Sequence, residues 1–136
     1  MDEDKLNRLP PDVKKQFLKL ALKLSEKKTK SKVHDDFLSF VKHVWPEFIE
    51  GKHHKEIADK FNDIAKGKIK RLIINMPPRH TKSEFASYLL PSWMVGRRPN
   101  LKIIQTTHTT ELAIRFGRKA KTLMDSQEYK QVFQTR

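Results

Sequence analysis

The sequence contains no cysteine among its 136 residues. A chain without thiols can form neither a disulfide framework nor a thiolate metal site, so both of these ways of stabilising a small domain are excluded. The absence is compatible with a protein that works in a reducing compartment.

Long apolar segments are also missing. The chain has no run of about 18 apolar residues, the length that a membrane-spanning helix needs. The residues that follow Met1 include no apolar stretch of the kind found in signal peptides. We therefore predict a soluble intracellular protein that has no membrane partner.

Acidic residues are few compared with basic ones. The chain carries 29 Lys and Arg against 16 Asp and Glu, which gives a formal charge of +13 and a pI near 10. Such an excess favours an anionic partner, which can be nucleic acid, nucleotide or acidic lipid, and charge alone does not choose among them. The length allows one ordinary domain or the opening part of a larger one.

The first half of the chain is predicted to be a helical lead-in, a lid-like segment over residues 1–66. Apolar residues recur there at three- and four-residue steps, the spacing of one helix face. A basic patch over residues 25–32 is predicted to be a linker between the first and second helices. The inward-facing positions are Val13, Phe17, Leu20, Ala21 and Leu24 in the first helix, Phe37, Phe40, Val41 and Val44 in the second, and Ile57, Phe61 and Ile64 in a third from about His53 to Ala65.

The pattern changes in residues 67–136. The continuous branched run Leu72-Ile73-Ile74 predicts a strand buried on both faces of a parallel sheet, and a second strand is predicted over 101–107. Helices are predicted from Ser83 to about Val95, with a kink or an end near Leu90 because Pro91 follows, and from about Thr109 to Met124. The order strand, loop, helix, strand, helix predicts a βαβ crossover and an α/β fold.

The loop between the first predicted strand and its helix reads MPPRHTKS over residues 76–83. Compared with the P-loop pattern G-x-x-x-x-G-K-[ST], it keeps Lys82 and Ser83 but has Met76 and Thr81 where the glycines normally stand. Lys82 is placed to reach nucleotide phosphates and the Ser83 hydroxyl to ligate Mg²⁺. Thr81 can adopt the positive φ of the missing glycine only with strain. The alternative is a basic turn that joins strand to helix.

The stretch RLIINMPPRHTKSEFASYLLPSWMVGRRPNLKIIQTTHTTELAIRFGRKAKTLM resembles the N-terminal ATPase region of the large terminase subunit of tailed bacteriophages. A loop of the form P-P-R-H-[GT]-K-S follows the first sheet strand in that family, and the likeness covers roughly residues 35–133. It implies a P-loop NTPase fold of the RecA-like (ASCE) type, incomplete in this chain. It also implies a motor that uses ATP and Mg²⁺ to move double-stranded DNA into a capsid.

The resemblance also implies roles for individual residues. Lys82 and Ser83 would contact the phosphates and Mg²⁺, and Arg79 would act catalytically by stabilising charge that develops during phosphoryl transfer. The backbone of the nucleotide-binding loop would be formed by Pro77, Pro78, Arg79, His80 and Thr81.

His53 and His54 lie where the terminase family contacts adenine. The alternative for this pair is a solvated helix cap or a packing role. A metal site is rejected, because adjacent helical residues point in different directions and the sequence offers no evident third ligand.

The partners implied by the resemblance are the portal protein and the small terminase subunit, in an oligomeric ring in the cytoplasm of the bacterial host. Hydrolysis needs a Walker B strand that ends in Asp and is followed by Glu. The nearest stretch here, residues 122–125, continues a helical pattern and is followed by Ser126. We therefore predict a truncated terminase that does not hydrolyse ATP by itself.

Two other functions stay open. One is a non-catalytic nucleic-acid-binding module, because Arg115, Arg118, Lys119 and Thr122 share one face of the last predicted helix, although a solvated basic face has the same pattern. The other is a fragment of a helicase-type P-loop ATPase, which shares the order of elements and a Thr-rich end to the second strand. Helicases of this type generally keep the loop glycines, which makes this alternative the weaker one.

Overall fold

The computed structural model describes residues 10–133, and every regular element in that range is a helix. About 68% of the structure is helical and none of the described residues lies in a β-strand, so the prediction of an α/β fold with a parallel P-loop NTPase sheet is wrong. Within the same range, no helix is both long and apolar enough to cross a membrane. In chain order the elements are α1 (Pro11–Asp35), α2 (Phe37–Val44), α3 (Lys52–Ala65), α4 (Lys82–Glu84), a π-helical turn (Phe85–Leu89), α5 (Leu90–Arg97), α6 (Thr110–Asp125) and α7 (Gln127–Val132).

The chain divides into two units, and the first ends at Ser31. Its described part lies almost entirely in α1, and the basic patch predicted to be a linker is helical. The patch contains no Gly or Pro, and its long Lys side chains lose little freedom in a helix. Leu20 and Leu24, predicted to face inward, are 57% and 52% exposed.

The second unit begins at Lys32 and holds an aromatic core. Phe37 on α2 is fully buried, and its ring lies 5.1 Å from that of Phe61 on α3, 5.4 Å from Phe85 and 5.5 Å from Trp93. Tyr129 on α7 closes the core from another side and donates its hydroxyl hydrogen to the Ser92 carbonyl at 2.7 Å. The buried faces predicted for α2 and α3 are therefore confirmed at Phe37 and Phe61.

Asp36 begins α2 and connects it to α3. Its carboxylate accepts hydrogen bonds from the Ser39 backbone N–H and from Asn62 Nδ2, both at 2.8 Å. Asn62 Oδ1 in turn accepts from the Phe37 N–H at 2.9 Å. Burial opposes ionisation of this carboxyl, but the hydrogen bonds from Ser39 and Asn62 and the charge of Lys32 together hold the pKa of Asp36 below its ordinary value.

Pro91 explains the π-helical turn between α4 and α5. In a regular helix its ring would clash with the carbonyl of the residue four positions earlier, and it has no N–H to donate. The chain widens just before it, so that the Leu90 N–H donates to the Phe85 carbonyl five residues back. A kink or an end was predicted near Leu90, and the structure has a local widening there, after which the helix continues to Arg97.

Two segments without regular secondary structure stand where strands were predicted, at 72–74 and 101–107. In the first, half-buried Leu72 and Ile74 alternate with Ile73, which is 86% exposed. In the second, Ile104 is 91% exposed. A strand requires a partner that takes up its backbone N–H and C=O groups, and these segments pair with no strand within residues 10–133.

Candidate functional site

The loop over residues 76–83 closes on itself. The side-chain Nζ of Lys82 donates to the backbone carbonyl of Met76 at 3.2 Å, so the two ends of the loop are joined. The Phe85 N–H donates to the Thr81 carbonyl at 2.9 Å, which begins the helix. Pro77 to His80 are exposed between these ends. The loop is therefore compact at its base and open to solvent along its rim.

The backbone of this loop enters the left-handed region twice. The φ angle is 65° at Arg79 and 55° at Thr81, and His80 between them does not have a positive φ. In anion-binding nests, residues of αR and αL conformation alternate and their successive N–H groups face the anion. Thr81 thus has the positive φ that its residue type adopts only with strain. Backbone N–H groups and a nearby ammonium, such as that of Lys82, are donors of the kind that a phosphate needs.

His54 at the start of α3 contacts the loop directly. Its Nε2 lies 2.6 Å from Thr81 Oγ1, and its Nδ1 accepts the Gly51 backbone N–H at 2.9 Å. The side chain is buried, with 6% of its surface exposed, and its ring lies 4.8 Å from that of Phe48 and 5.2 Å from that of Phe85. His54 is thus held from several sides, and both of its ring nitrogens have partners.

His53 and His80 complete a group of three imidazoles. His53 Nε2 lies 3.0 Å from His54 Nε2, and the rings of His53 and His80 are 5.6 Å apart. Burial is the largest cause that lowers the pKa of His54, the nearby His53 and His80 lower it further, and Glu50 acts in the opposite direction. No group of three or more His, Cys, Asp or Glu side chains within residues 10–133 has an arrangement that could hold a metal ion.

Arg79 and Ser83 extend into solvent from the loop. Both are exposed, and neither side chain hydrogen bonds to any part of the chain that the structure describes. Ser83 supplies one oxygen in the position expected for a Mg²⁺ ligand. Mg²⁺ commonly keeps several waters and takes phosphate oxygens beside one or two protein oxygens, so this single hydroxyl fits a nucleotide-bound ion.

Glu84 forms a contact that the sequence did not reveal. Both of its carboxylate oxygens accept from Lys119 Nζ on α6 at 2.8 Å, and the same ammonium lies 5.1 Å from the centre of the Tyr88 ring. Burial, followed by the nearby Glu84 carboxylate, raises the pKa of Tyr88 to about 12. Lys119 was predicted to lie on a basic face of the last helix, but its positive charge is paired with the Glu84 carboxylate. Residues 35 positions apart carry no sequence signal for such a pair.

The structure brings the predicted site residues together. The stretch from Pro77 to Ser83 forms one loop, and the His53-His54 pair lies against it through the contact between His54 and Thr81. The adenine contact of the His pair and the catalytic role of Arg79 stay predictions. Comparisons of the chain with protein-family models, with curated proteins and with solved structures found no match.

Proposed function

We propose that the loop over residues 76–83 binds the phosphates of ATP, and that the chain is the ATP-binding part of a DNA-packaging motor of the terminase type. The observation that carries this proposal is the closed loop PPRHTKS, with left-handed backbone at Arg79 and Thr81 and the Lys82 ammonium at its base. The backbone alternation on which an anion-binding nest depends is a local feature. Phosphate binding there therefore requires no sheet.

Each polar group of the loop has a part in this proposal. On binding, the Lys82 ammonium exchanges the Met76 carbonyl, 3.2 Å away, for phosphate oxygens, which are stronger acceptors because they are charged. Ser83 ligates the Mg²⁺ that bridges the phosphates. Arg79 is exposed at the rim, where it can approach negative charge on the transferred phosphoryl group.

The partners follow from the same proposal. The formal charge of +13 favours association with double-stranded DNA through its phosphates. A packaging motor of this kind works as a ring in the cytoplasm of the bacterial host, together with the portal protein and the small terminase subunit. These partners rest on the family resemblance alone.

A titration with a fluorescent ATP analogue in the presence of Mg²⁺ tests the proposal. Lys82→Ala removes a charge-assisted contact of roughly 1.5–3 kcal/mol, so we expect the affinity to fall about tenfold or more. Lys121→Ala on α6 is the matched control, because it removes the same charge from an exposed position outside the loop. Equal losses in both variants would indicate nonspecific attraction, and no loss in Lys82→Ala would show that the loop is only a basic turn.

A second candidate function is nucleic-acid binding along α6. Arg115 and Arg118 are exposed and line an open groove of about 800 Å³, beside Ile114, which is 48% exposed. Replacing both arginines by alanine should weaken binding of a labelled DNA duplex. It should also reduce the slope of log K against log salt by about two. Lys66→Ala/Lys70→Ala, which removes two exposed charges elsewhere, should leave most of the slope in place.

A further inference from the structure

Thr81 adopts a backbone conformation that its residue type disfavours. Its φ is 55° and its ψ is 7°, in the left-handed region that glycine enters freely and that is unusual for a β-branched side chain. Thr81 also occupies the position where the P-loop pattern has glycine. Such a conformation persists only when surrounding contacts over-determine it.

Hydrogen bonds on both sides of His54 determine how it meets Thr81. Its Nδ1 accepts the Gly51 N–H at 2.9 Å, so in the neutral ring the proton must be on Nε2. The Thr81 hydroxyl donates its own hydrogen to the His80 carbonyl at 2.7 Å, so its oxygen is available as an acceptor. His53 Nε2 lies 3.0 Å from the same nitrogen, so we assign the single Nε2 proton to the shorter contact, a hydrogen bond of 2.6 Å from His54 Nε2 to Thr81 Oγ1.

Packing around His54 keeps this donor in place. The ring is buried between Phe48 and Phe85, which are part of or packed against the aromatic core. Gly51 approaches closely, because a Cβ atom there would lie 2.9 Å from His53 Cε1 and 3.4 Å from His54 Nδ1. The chain from the Gly51 N–H through His54 and Thr81 to the His80 carbonyl is thus a fixed series of bonds.

We propose that His54 takes the place of the missing glycine: its hydrogen bond holds Thr81 in the left-handed conformation and so shapes the loop for phosphate. This inference rests on the proposed function for the binding of phosphate, but its account of the loop concerns the free protein. His54 is a positioning residue in this view, and it acts on the ligand through Thr81.

Protonation of His54 changes its contact with Gly51 and not its donor to Thr81. A proton on Nδ1 removes the acceptor for the Gly51 N–H, whereas the Nε2–H that donates to Thr81 remains. The titratable groups that face this ring are His53, at 3.0 Å between Nε2 atoms, His80 across the loop and Glu50 before α3. Burial and the two histidines lower the pKa of His54, so the intact series is favoured at neutral pH.

A double-mutant cycle with a fluorescent ATP analogue and Mg²⁺ tests the inference. His54→Phe keeps an aromatic ring in the core but loses the donor, and we expect about five- to tenfold weaker binding. Thr81→Gly adopts the left-handed conformation without help, so adding His54→Phe to it should change the affinity less than about twofold. His43→Phe on α2, which removes a histidine bonded to the Glu128 carbonyl, is the matched control.

Hydrogen exchange of the backbone amides over residues 79–83 provides a readout without ligand. His54→Phe should accelerate their exchange, and this acceleration should vanish in the Thr81→Gly background. Thr81→Ala removes the acceptor at the surface and should weaken ATP binding about as much as His54→Phe. Thr81→Ala therefore tests the same hydrogen bond in case the His54→Phe variant does not fold.

The outcomes separate this inference from the proposed function. If the exchange rates behave as expected and neither the wild type nor any variant binds ATP, the positioning role stands and the nucleotide proposal fails. If His54→Phe weakens binding equally in both backgrounds, His54 contacts the nucleotide directly and the inference is wrong. Unchanged exchange in both His54→Phe and Thr81→Ala would also overturn it.

Discussion

Lys82 illustrates how a single side chain holds the loop ready for a ligand. Its ammonium has an internal partner, the Met76 carbonyl at 3.2 Å, and is half-buried. The hydrogen bond is to a neutral carbonyl, and a phosphate oxygen would be a stronger acceptor because it is charged. The group therefore needs little reorganisation to change partners.

The pH dependence of stability is a test at the scale of one residue. Folding lowers the pKa of His54 below the ordinary histidine value of about 6.5. As the pH falls, His54 therefore takes up a proton in the unfolded chain before it does so in the folded protein. Stability contributed by neutral His54 is therefore complete above that pH and declines until the folded-state pKa is passed. Thermal unfolding from pH 8 to pH 5 should show that the difference in Tm between wild type and His54→Phe narrows on acidification. A difference in Tm between the two proteins that stays constant from pH 8 to pH 5 would contradict this prediction.

Only part of this site could be predicted from the sequence. The P-loop pattern has glycine at position 81, which indicated that Thr81 could take a positive φ only with strain, and its φ in the structure is 55°. The contact with His54 was not predictable, because the two residues are 27 positions apart and only the packing of α3 against the loop brings them together. The positive φ of Arg79 likewise has no signal in its residue type.

At the scale of elements, Asp36 is the residue on which the junction of α2 and α3 depends most. Asp36→Ala removes an N-cap and leaves Asn62 without its acceptor, so we expect a loss of about 1–2 kcal/mol in the free energy of unfolding. Asp35→Ala is the control, because its exposed carboxylate only pairs at the surface and should contribute less than about 1 kcal/mol. Urea denaturation measures both. Equal losses of unfolding free energy in Asp36→Ala and Asp35→Ala would show that the effect comes from removing a negative charge and not from the hydrogen bonds of Asp36.

The same carboxyl should contribute to acid unfolding. The pKa of Asp36 is lower in the folded protein, so its contribution is present above the unfolded-state value and is lost as the pH falls through the folded-state value. Wild type should therefore approach the stability of Asp36→Ala as the pH falls below the unfolded-state pKa of Asp, about 3.9, and on through the lower folded-state value.

Helices were predicted well and strands were not, for a physical reason. The face of a helix is visible in local spacing, so Phe37, Phe40 and Phe61 were identified as core residues and are buried. A strand is completed by hydrogen bonds to a neighbour that can lie anywhere in the chain. The apolar run at residues 72–74 predicted a strand buried on both faces of a parallel sheet, but within residues 10–133 the segment has no partner strand and Ile73 is 86% exposed.

At the scale of the whole molecule, the available carboxylates decide whether the chain can turn over ATP. Glu84 is bound to Lys119, and Asp125 stands exposed at the end of α6, 4.0 Å from Lys130. Neither follows a strand, as the Mg²⁺ ligand of this mechanism does. We expect the purified chain to release phosphate only at background rate, with or without DNA. Lysine-dependent release, absent in Lys82→Ala, would contradict this and direct attention to Glu111 and Glu128.

The two segments at residues 72–74 and 101–107 have a consequence for the behaviour of the chain in concentrated solution. Within residues 10–133 neither segment pairs with a strand, and each places a β-branched side chain in water, at Ile73 and at Ile104. Apolar segments whose backbone has no strand partner are sites onto which another molecule can add, and charged side chains are the usual protection. Light scattering should therefore show self-association that increases with concentration and with salt, as the repulsion from the net positive charge is screened. Ile104→Lys should suppress that association without altering the helical circular dichroism.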